Sequence, residues 1–150
     1  MVEFKPIGVI HSPYRTRTEA PYQGCASEDT CEIELHDEYA EGARDIEGFS
    51  HLIVVYFLHQ SRGYTLMVRT PWDEAPHGVF STRSPDRPNP IGICVVRLLS
   101  RKGKLLKVKG LDAIDGSPLL DLKPYIPEVD QARRPKLGWL EGKLKLAGNW

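Results

Sequence analysis

The sequence predicts a single, mainly β domain with short helical segments. A chain of 150 residues fits one domain with a buried core, and 41% hydrophobic residues is close to the content of an ordinary folded domain. Several short segments alternate apolar and polar residues with the two-residue period of a half-buried strand. The most apolar run, residues 51–59, has the length and β-branched content of a central strand covered on both faces.

The first part of the chain predicts two strands separated by a polar loop. Residues 4–10 predict a strand in which Gly8 marks a bulge or a close approach between two backbones. Residues 30–36 place apolar side chains at every second position, so one face of this strand is expected to be buried. Residues 14–26 are polar and follow neither period, which is typical of a surface loop.

The middle of the chain predicts a helical turn, the central strand and a loop. Residues 39–44 are compatible with one or two helical turns, for which Asp37 is a possible N-cap. After the central strand, residues 65–69 predict a short strand, followed by a proline-bounded loop around Trp72. An aromatic side chain in such a loop either packs locally or stacks on an unpaired base, and the sequence leaves both open.

The last part of the chain predicts a hairpin, a short strand and a polar tail. Residues 91–99 and 105–109 predict two strands joined by a turn at 101–104, with Leu106 and Val108 facing inward. Residues 115–118 predict a turn, and 119–122 a short strand. From residue 128 onward the tail is polar, and Trp139 is expected to attach it to the core or to a partner subunit. No linker or repeat divides residues 1–150, so one domain is expected.

Composition and motifs narrow the function. The 20 basic and 20 acidic residues balance to a formal net charge of zero, which argues against a general polyanion-binding protein. Neither a metal-binding motif nor a phosphate-binding glycine loop is found, so no metal is expected. No apolar stretch approaches membrane-spanning length. The charged N-terminal segment and the odd number of cysteines favour a cytoplasmic protein with reduced thiols, although a Cys25–Cys31 disulfide stays possible.

Residues 78–92, GVFSTRSPDRPNPIG, form the most distinctive segment. Three prolines restrict the backbone and exclude a helix interior, so the segment is expected to be a stiff loop that loses little entropy when it binds a ligand. Arg83 and Arg87 provide planar, charged groups that suit carboxylates and phosphates. The alternative is a surface turn whose arginines are solvated or paired with acids. Asp86 is expected to pair with Arg83 or Arg87 and to hold the loop.

This segment resembles the signature of the TsaA-like, or TrmO, family of tRNA methyltransferases. Further family-like pieces occur in the expected order along nearly the whole chain up to residue 127. They are IGVIHSPY at 7–14, PYQG at 21–24, FSHL at 49–52, HQ at 59–60, LDAIDGSP at 111–118 and LDLKPYIP at 120–127. The resemblance implies a β-barrel-like domain rather than a Rossmann fold, S-adenosylmethionine as methyl donor, and a homodimer. It also implies tRNA as partner, with methylation at N6 of threonylcarbamoyladenosine at position 37.

The resemblance also implies a donor site. Arg83 is expected to bind the carboxylate of the donor, Asp112 or Asp115 its ribose, and Ile93 its adenine. The residues expected to bind S-adenosylmethionine are Pro21, Tyr22, Gln23, His59, Gln60, Arg83, Ile93, Leu111, Asp112, Ala113, Ile114 and Asp115. As alternatives, His59 is a structural residue at a strand end, and the two aspartates shape a turn.

The catalytic base, if one is used, is not identified by the sequence. His59, Asp112 and Asp115 are the candidates, because each can accept a proton. Arg62 and Arg69 are candidates for RNA phosphate contacts. Besides an RNA methyltransferase, two hypotheses stay open: methylation of a small molecule, and a non-catalytic RNA-binding barrel. Some relatives carry an additional C-terminal domain, which leaves RNA specificity less defined than donor binding.

Overall fold

The computed structural model describes residues 1–21 and 27–144, and its centre is a closed antiparallel β-barrel of six strands. The predicted mainly β, non-Rossmann fold with short helical segments is confirmed. The strands, in chain order, are β1 (Gly8–His11), β2 (Thr30–Leu35), β3 (His51–Phe57), β4 (Met67–Val68), β5 (His77–Gly78), β6 (Ile91–Lys102), β7 (Leu105–Lys109) and β8 (Pro118–Pro124). β4 and β5 form a separate two-stranded sheet.

The barrel follows the order β1-β2-β7-β6-β3-β8 and closes where β8 pairs with β1. At the closure Gly8 is opposite Leu119 and Val9 opposite Pro118. The backbone N–H of Ile7 adds a 2.8 Å hydrogen bond to the carbonyl of Leu119. Closure leaves the barrel without exposed strand edges, which would otherwise pair with other chains.

The core fills the interior of the barrel with alternate residues from each strand. In β2, Cys31, Ile33 and Leu35 are buried as the alternation predicted. In β3 the buried residues are again every second one, and the intervening residues are half-buried or, at Phe57, exposed. The prediction that residues 51–59 are covered on both faces is therefore wrong, because a barrel strand packs only its inner face on the core.

The remaining predicted boundaries were close, with physical reasons for the differences. The first strand begins at Gly8 rather than residue 4, because Phe4 extends beyond the barrel and is 70% exposed. Residues 37–43 form a 3-10 helix, and its N-cap is His36 rather than the predicted Asp37. Asp37 is the first residue of the helix, and its carboxylate accepts a hydrogen bond from Lys104. The other short helices are the 3-10 helices at 46–48, 79–81 and 138–140, and α1 at Pro127–Asp130.

Cys31 and Cys94 are buried and form no disulfide with each other, whereas Cys25, the other half of the possible disulfide, lies outside the described residues. None of the helices in residues 1–21 and 27–144 has the length and apolarity needed to cross a bilayer.

Three connections meet at one end of the barrel. They are residues 12–21 and 27–29 between β1 and β2, residues 58–90 between β3 and β6, and residues 110–117 between β7 and β8. Antiparallel pairing brings the end of β3 beside the start of β6, and the end of β1 beside the start of β8. These connections are called the rim loops below. The opposite end holds the β6–β7 hairpin and the connection from β2 to β3.

Gly8 is predicted to be essential for the contact between β1 and β2. A Cβ at this position would lie 2.3 Å from the carbonyl oxygen of Glu34, a backbone atom that cannot move alone. We expect Gly8→Ala to lower the free energy of unfolding by about 1–3 kcal/mol, since the two strands must separate. Denaturant unfolding measures this change. Gly42→Ala is the control, because a Cβ there meets nothing within 4 Å, and an equal loss in both variants would contradict the argument.

Candidate functional site

The rim loops enclose a cavity of about 720 Å³. Its lining comes from all three loops together with the end of β3 and the start of β6. The lining residues are Arg17, Thr18, Ala20, Pro21, Tyr56, Leu58, His59, Gln60, Thr82, Arg83, Pro85, Arg87, Asn89, Ile91, Gly92, Ile93, Asp112, Ala113, Ile114 and Ser117. The cavity combines exposed isoleucines with a few charged groups, which is the usual make-up of a small-molecule site.

Most of the residues predicted to bind a donor lie together in this lining. They are Pro21, His59, Gln60, Arg83, Ile93, Asp112, Ala113 and Ile114. Leu111 and Asp115 lie outside it: Leu111 is fully buried in the core, and Asp115 is on the exposed side of its loop. Tyr22 and Gln23 lie outside the described residues. The individual roles of these residues stay predictions.

Arg83 is one of the charged residues that line the cavity. Its side chain is exposed, and within residues 1–21 and 27–144 it makes no hydrogen bond or ion pair. Burial raises the pKa of the Asp112 carboxylate, and the positive charge of Arg83 acts on that carboxylate in the opposite direction. Because arginine binds carboxylates through a two-pronged geometry, this group is available for an anionic part of a ligand.

Asp112 is held in the cavity by Tyr56. The Tyr56 hydroxyl donates a 2.5 Å hydrogen bond to Asp112 Oδ1. Burial raises the pKa of Asp112, while the hydrogen bond from Tyr56 acts in the opposite direction. Burial, followed by the nearby Asp112 charge, also raises the pKa of Tyr56, so the phenol remains a donor at neutral pH. The pair therefore presents a fixed acceptor to a ligand.

Asp86 braces two rim loops through a partner that the sequence did not predict. It accepts two hydrogen bonds from the Arg17 guanidinium, at 3.1 and 3.0 Å, and others from Ser61 Oγ and the Arg62 backbone N–H. The predicted pairing with Arg83 or Arg87 is wrong, although the predicted structural role agrees with these contacts. Arg87 instead donates to two carbonyl oxygens of its own loop.

Ser12 and Ser117 fix the loop that carries Asp112. Ser12 Oγ donates to the Ala113 carbonyl at 2.7 Å, and the Ser12 backbone N–H donates to Asp115 Oδ1 at 2.9 Å. Ser117 Oγ donates to the Ile114 carbonyl at 2.6 Å. Asp115 therefore shapes the loop, which is the structural alternative that the sequence had left open for it.

His59 and Gln60 connect the end of β3 to neighbouring rim loops. His59 Nδ1 lies 3.4 Å from the buried hydroxyl of Ser117, and the Gln60 side-chain amide donates to the Arg15 carbonyl at 3.2 Å. Both side chains are exposed and line the cavity. His59 is thus placed where it could touch a ligand, and its partner is a hydroxyl rather than a carboxylate.

The tail is attached beside the signature segment through Trp139. Its ring stacks on His77 with centroids 3.8 Å apart, and its indole N–H donates to the Ser81 carbonyl at 2.9 Å. His77 in turn contacts the Asp73 carboxylate, which also pairs with Lys143 at 2.7 Å. The tail therefore packs on the 58–90 rim loop rather than on the barrel core.

Sequence reasoning missed Tyr56 and Arg17. Tyr56 lies in the most apolar strand, and its position predicted a core residue. Arg17 lies in a polar loop 69 positions before its partner Asp86. A buried phenol needs a hydrogen-bond partner, so a tyrosine within an apolar strand was the sequence feature that could have identified Tyr56. Among residues 1–21 and 27–144, no group of three or more histidine, cysteine or acidic side chains is arranged to hold a metal ion.

A family model described as the N-terminal domain of tRNA-methyltransferase O matches residues 9–131. The chain belongs to this family. The match includes every described cavity residue and all six strands of the barrel except Gly8 at the start of β1.

Relatives in the tRNA-methyltransferase O family carry two kinds of name. An S-adenosyl-L-methionine-binding protein of Archaeoglobus fulgidus is 49% identical over 126 residues, covering 84% of this chain and 91% of the relative. A probable S-adenosyl-L-methionine-binding protein of the same organism is 50% identical over 94% of this chain. The tRNA (adenine(37)-N6)-methyltransferase of Escherichia coli is 40% identical over 83% of this chain.

Solved structures share the fold. A crystal structure of TrmO from Pseudomonas aeruginosa matches with a TM-score of 0.78 and 31% identity, covering 94% of this chain and 62% of that one. The present chain spans 38% of the longer A. fulgidus relative and 58% of the E. coli methyltransferase. Each of these two relatives therefore contains further residues outside the region that aligns with the present chain.

The Asp86 brace is predicted to make stability depend on pH. Burial would raise the pKa of Asp86, but the hydrogen bonds from Arg17, Arg62 and Ser61 outweigh it and hold the pKa below the ordinary 3.8. A carboxylate with a lowered pKa stabilises the fold above its ordinary pKa, and this stability is lost as pH falls through the folded value.

We therefore expect Asp86→Asn to lower the free energy of unfolding by about 1–3 kcal/mol at pH 7, because charged hydrogen bonds are lost. The difference from wild type should shrink as the pH falls below 3.8. Denaturant unfolding from pH 7 to pH 3 measures it. Glu3→Gln is the control, since Glu3 is exposed and has no such contacts in the described residues. A pH-independent difference would contradict the electrostatic argument.

Proposed function

We propose that this protein is an S-adenosylmethionine-dependent methyltransferase that acts on N6 of an adenine at position 37 of tRNA. The observation that carries the proposal is the Arg83 guanidinium, which has no hydrogen-bonded partner among the described residues and shares a cavity with the oriented carboxylate of Asp112. Membership of the tRNA-methyltransferase O family supports it, as do relatives named for donor binding and for adenine-37 methylation.

The described residues fit the donor in their chemistry. Arg83 suits the carboxylate of its amino-acid part, because that guanidinium has no partner among the described residues. Asp112 suits the ribose hydroxyls, since an oriented carboxylate accepts two hydrogen bonds from neighbouring hydroxyls. Ile93, which is 53% exposed, together with Ala113 and Ile114 offers apolar surface and backbone groups to the adenine.

S-adenosylmethionine, when bound, supplies a methyl group that is already activated by the positive sulfur. The protein then contributes mainly by aligning the two reactants and excluding water. Residues Arg83 and Asp112 hold the two polar ends, while the braced rim loops keep them at a fixed separation. His59 and Asp112 line the cavity and are the candidates for accepting the proton of N6, whereas Asp115 lies outside the lining and accepts a hydrogen bond from the Ser12 backbone N–H.

We propose threonylcarbamoyladenosine as the modified base, a cytoplasmic location and a homodimer, all supported by the family resemblance in the sequence. The rim offers exposed cations beside the cavity that suit RNA phosphates, among them Arg15 and Arg62. Because net charge is zero, these few cations rather than the overall field are expected to attract RNA.

Arg83→Ala is expected to weaken donor binding by about 10–100-fold, because a charge-assisted hydrogen-bonded contact is lost. The fold should be retained, since Arg83 makes no internal hydrogen bond in the described residues. Isothermal titration with S-adenosylhomocysteine measures the affinity. Arg62→Ala is the matched control: its guanidinium is exposed, has no partner in the described residues and does not line the cavity. Unchanged affinity in Arg83→Ala would remove Arg83 from its proposed role.

Mass analysis of tRNA nucleosides tests the activity itself. We expect incubation with S-adenosylmethionine and tRNA carrying threonylcarbamoyladenosine to add one methyl group to that nucleoside. Unmodified tRNA and free nucleoside are the parallel substrates. Methylation of the free nucleoside alone would favour the small-molecule hypothesis, and donor binding without methyl transfer would favour a non-catalytic binding protein.

A further inference from the structure

The Tyr56 hydroxyl is a buried polar group to which the proposed function assigns no role. Tyr56 is 4% exposed and lies on β3, whereas Asp112 comes from the β7–β8 rim loop, 56 positions later in the chain. A phenylalanine would fill the same space in the core, so packing does not require the hydroxyl. The hydroxyl ends at a carboxylate that lines the cavity, which places it directly behind the proposed ribose contact.

Gly92 holds the tyrosine ring in this position. Gly92 is the cross-strand neighbour of Tyr56, and a Cβ there would lie 2.6 Å from the Tyr56 ring carbon that bears the hydroxyl. The ring therefore lies directly against the β6 backbone, in space that only a glycine leaves open.

We propose that Tyr56 is a positioning residue that orients Asp112 so that its carboxylate accepts hydrogen bonds from both ribose hydroxyls of the donor. This inference rests on the proposed function and adds a residue that lines the same cavity and acts on the donor through Asp112. One hydrogen bond from Tyr56 occupies one of the roughly four acceptor positions of the carboxylate, and the others remain available for a vicinal diol.

The pH dependence of ligand binding is a second test of the proposal, because several charged and titratable groups surround Asp112. Tyr56 on β3, Cys94 on β6, Cys31 on β2 and Arg83 on the signature loop all interact with its carboxylate. Burial raises the pKa of Asp112, and the Tyr56 hydrogen bond lowers it. Removing the hydroxyl should therefore raise this pKa further, and the loss of ribose binding on acidification should begin at a higher pH.

The experiment compares two ligands in Tyr56→Phe. S-adenosylhomocysteine carries the ribose diol, and its 2′,3′-dideoxy analogue lacks it. We expect Tyr56→Phe to weaken binding of the first by about tenfold and binding of the second by less than about twofold, because the lost hydrogen bond acts on the diol alone. The loss of affinity for S-adenosylhomocysteine on acidification (the acidic limb of its pH profile) should also begin at a higher pH in Tyr56→Phe. The pH profile of binding of the dideoxy analogue should not shift.

Tyr14→Phe is the control, because Tyr14 is also buried and donates a 3.0 Å hydrogen bond to a carboxylate, that of Asp29, outside the cavity lining. It should leave the affinity ratio of the two ligands unchanged. The inference is overturned if Tyr56→Phe weakens the binding of both ligands equally, or if the loss of S-adenosylhomocysteine affinity on acidification begins at the same pH as in the wild type. If Tyr56→Phe does not fold, Gly92→Ala gives the same readout, since its Cβ displaces the phenol. Wild-type protein that binds neither ligand would instead overturn the proposed function.

Discussion

Pairing of β1 with β8 closes the barrel, and it places the rim loop that follows β1 beside the rim loop that precedes β8. Because β8 lies beside β1, the loop that precedes β8 lies beside the loop that follows β1, and Ser12 can hold the carbonyl of Ala113. Without the closure these two segments would belong to opposite edges of an open sheet. The cavity therefore exists because the strands form a cylinder, although few of its lining residues belong to the strands themselves.

Most of the charged side chains that line the cavity form hydrogen bonds or ion pairs within the protein. Arg17 is paired with Asp86, and Arg87 is occupied by carbonyl oxygens of its own loop, so two of the three cavity-lining arginines maintain the loops. Arg83 alone among these three is left unpaired within the described residues. Such preorganisation suits methyl transfer, where the reagent is already reactive and geometry is the main contribution that a protein can make. It also separates the residues that shape the cavity from those that are left available to a ligand.

The sequence predicted local features well and long-range pairings poorly. The alternation in β2 identified its buried face, and Gly8 was correctly associated with a close backbone approach, because both depend on neighbouring residues. The signature resemblance predicted the barrel and drew attention to most of the cavity lining. Asp86 was given the wrong partner, since nothing local distinguishes Arg17 from the arginines beside Asp86. Tyr56 was missed because its hydrogen bond to Asp112 depends on strand register and on a loop far along the chain.

The β6–β7 hairpin lies at the end of the barrel opposite the cavity, and its turn contains Gly103 with a φ of +59°. A Cβ at this glycine would meet nothing within 4 Å, so the tip of the turn faces open solvent. A tether or fluorophore attached through this turn would keep the mouth of the cavity pointing away from any solid support. Immobilised protein could then present its rim to a macromolecule as large as tRNA without steric interference from the anchor.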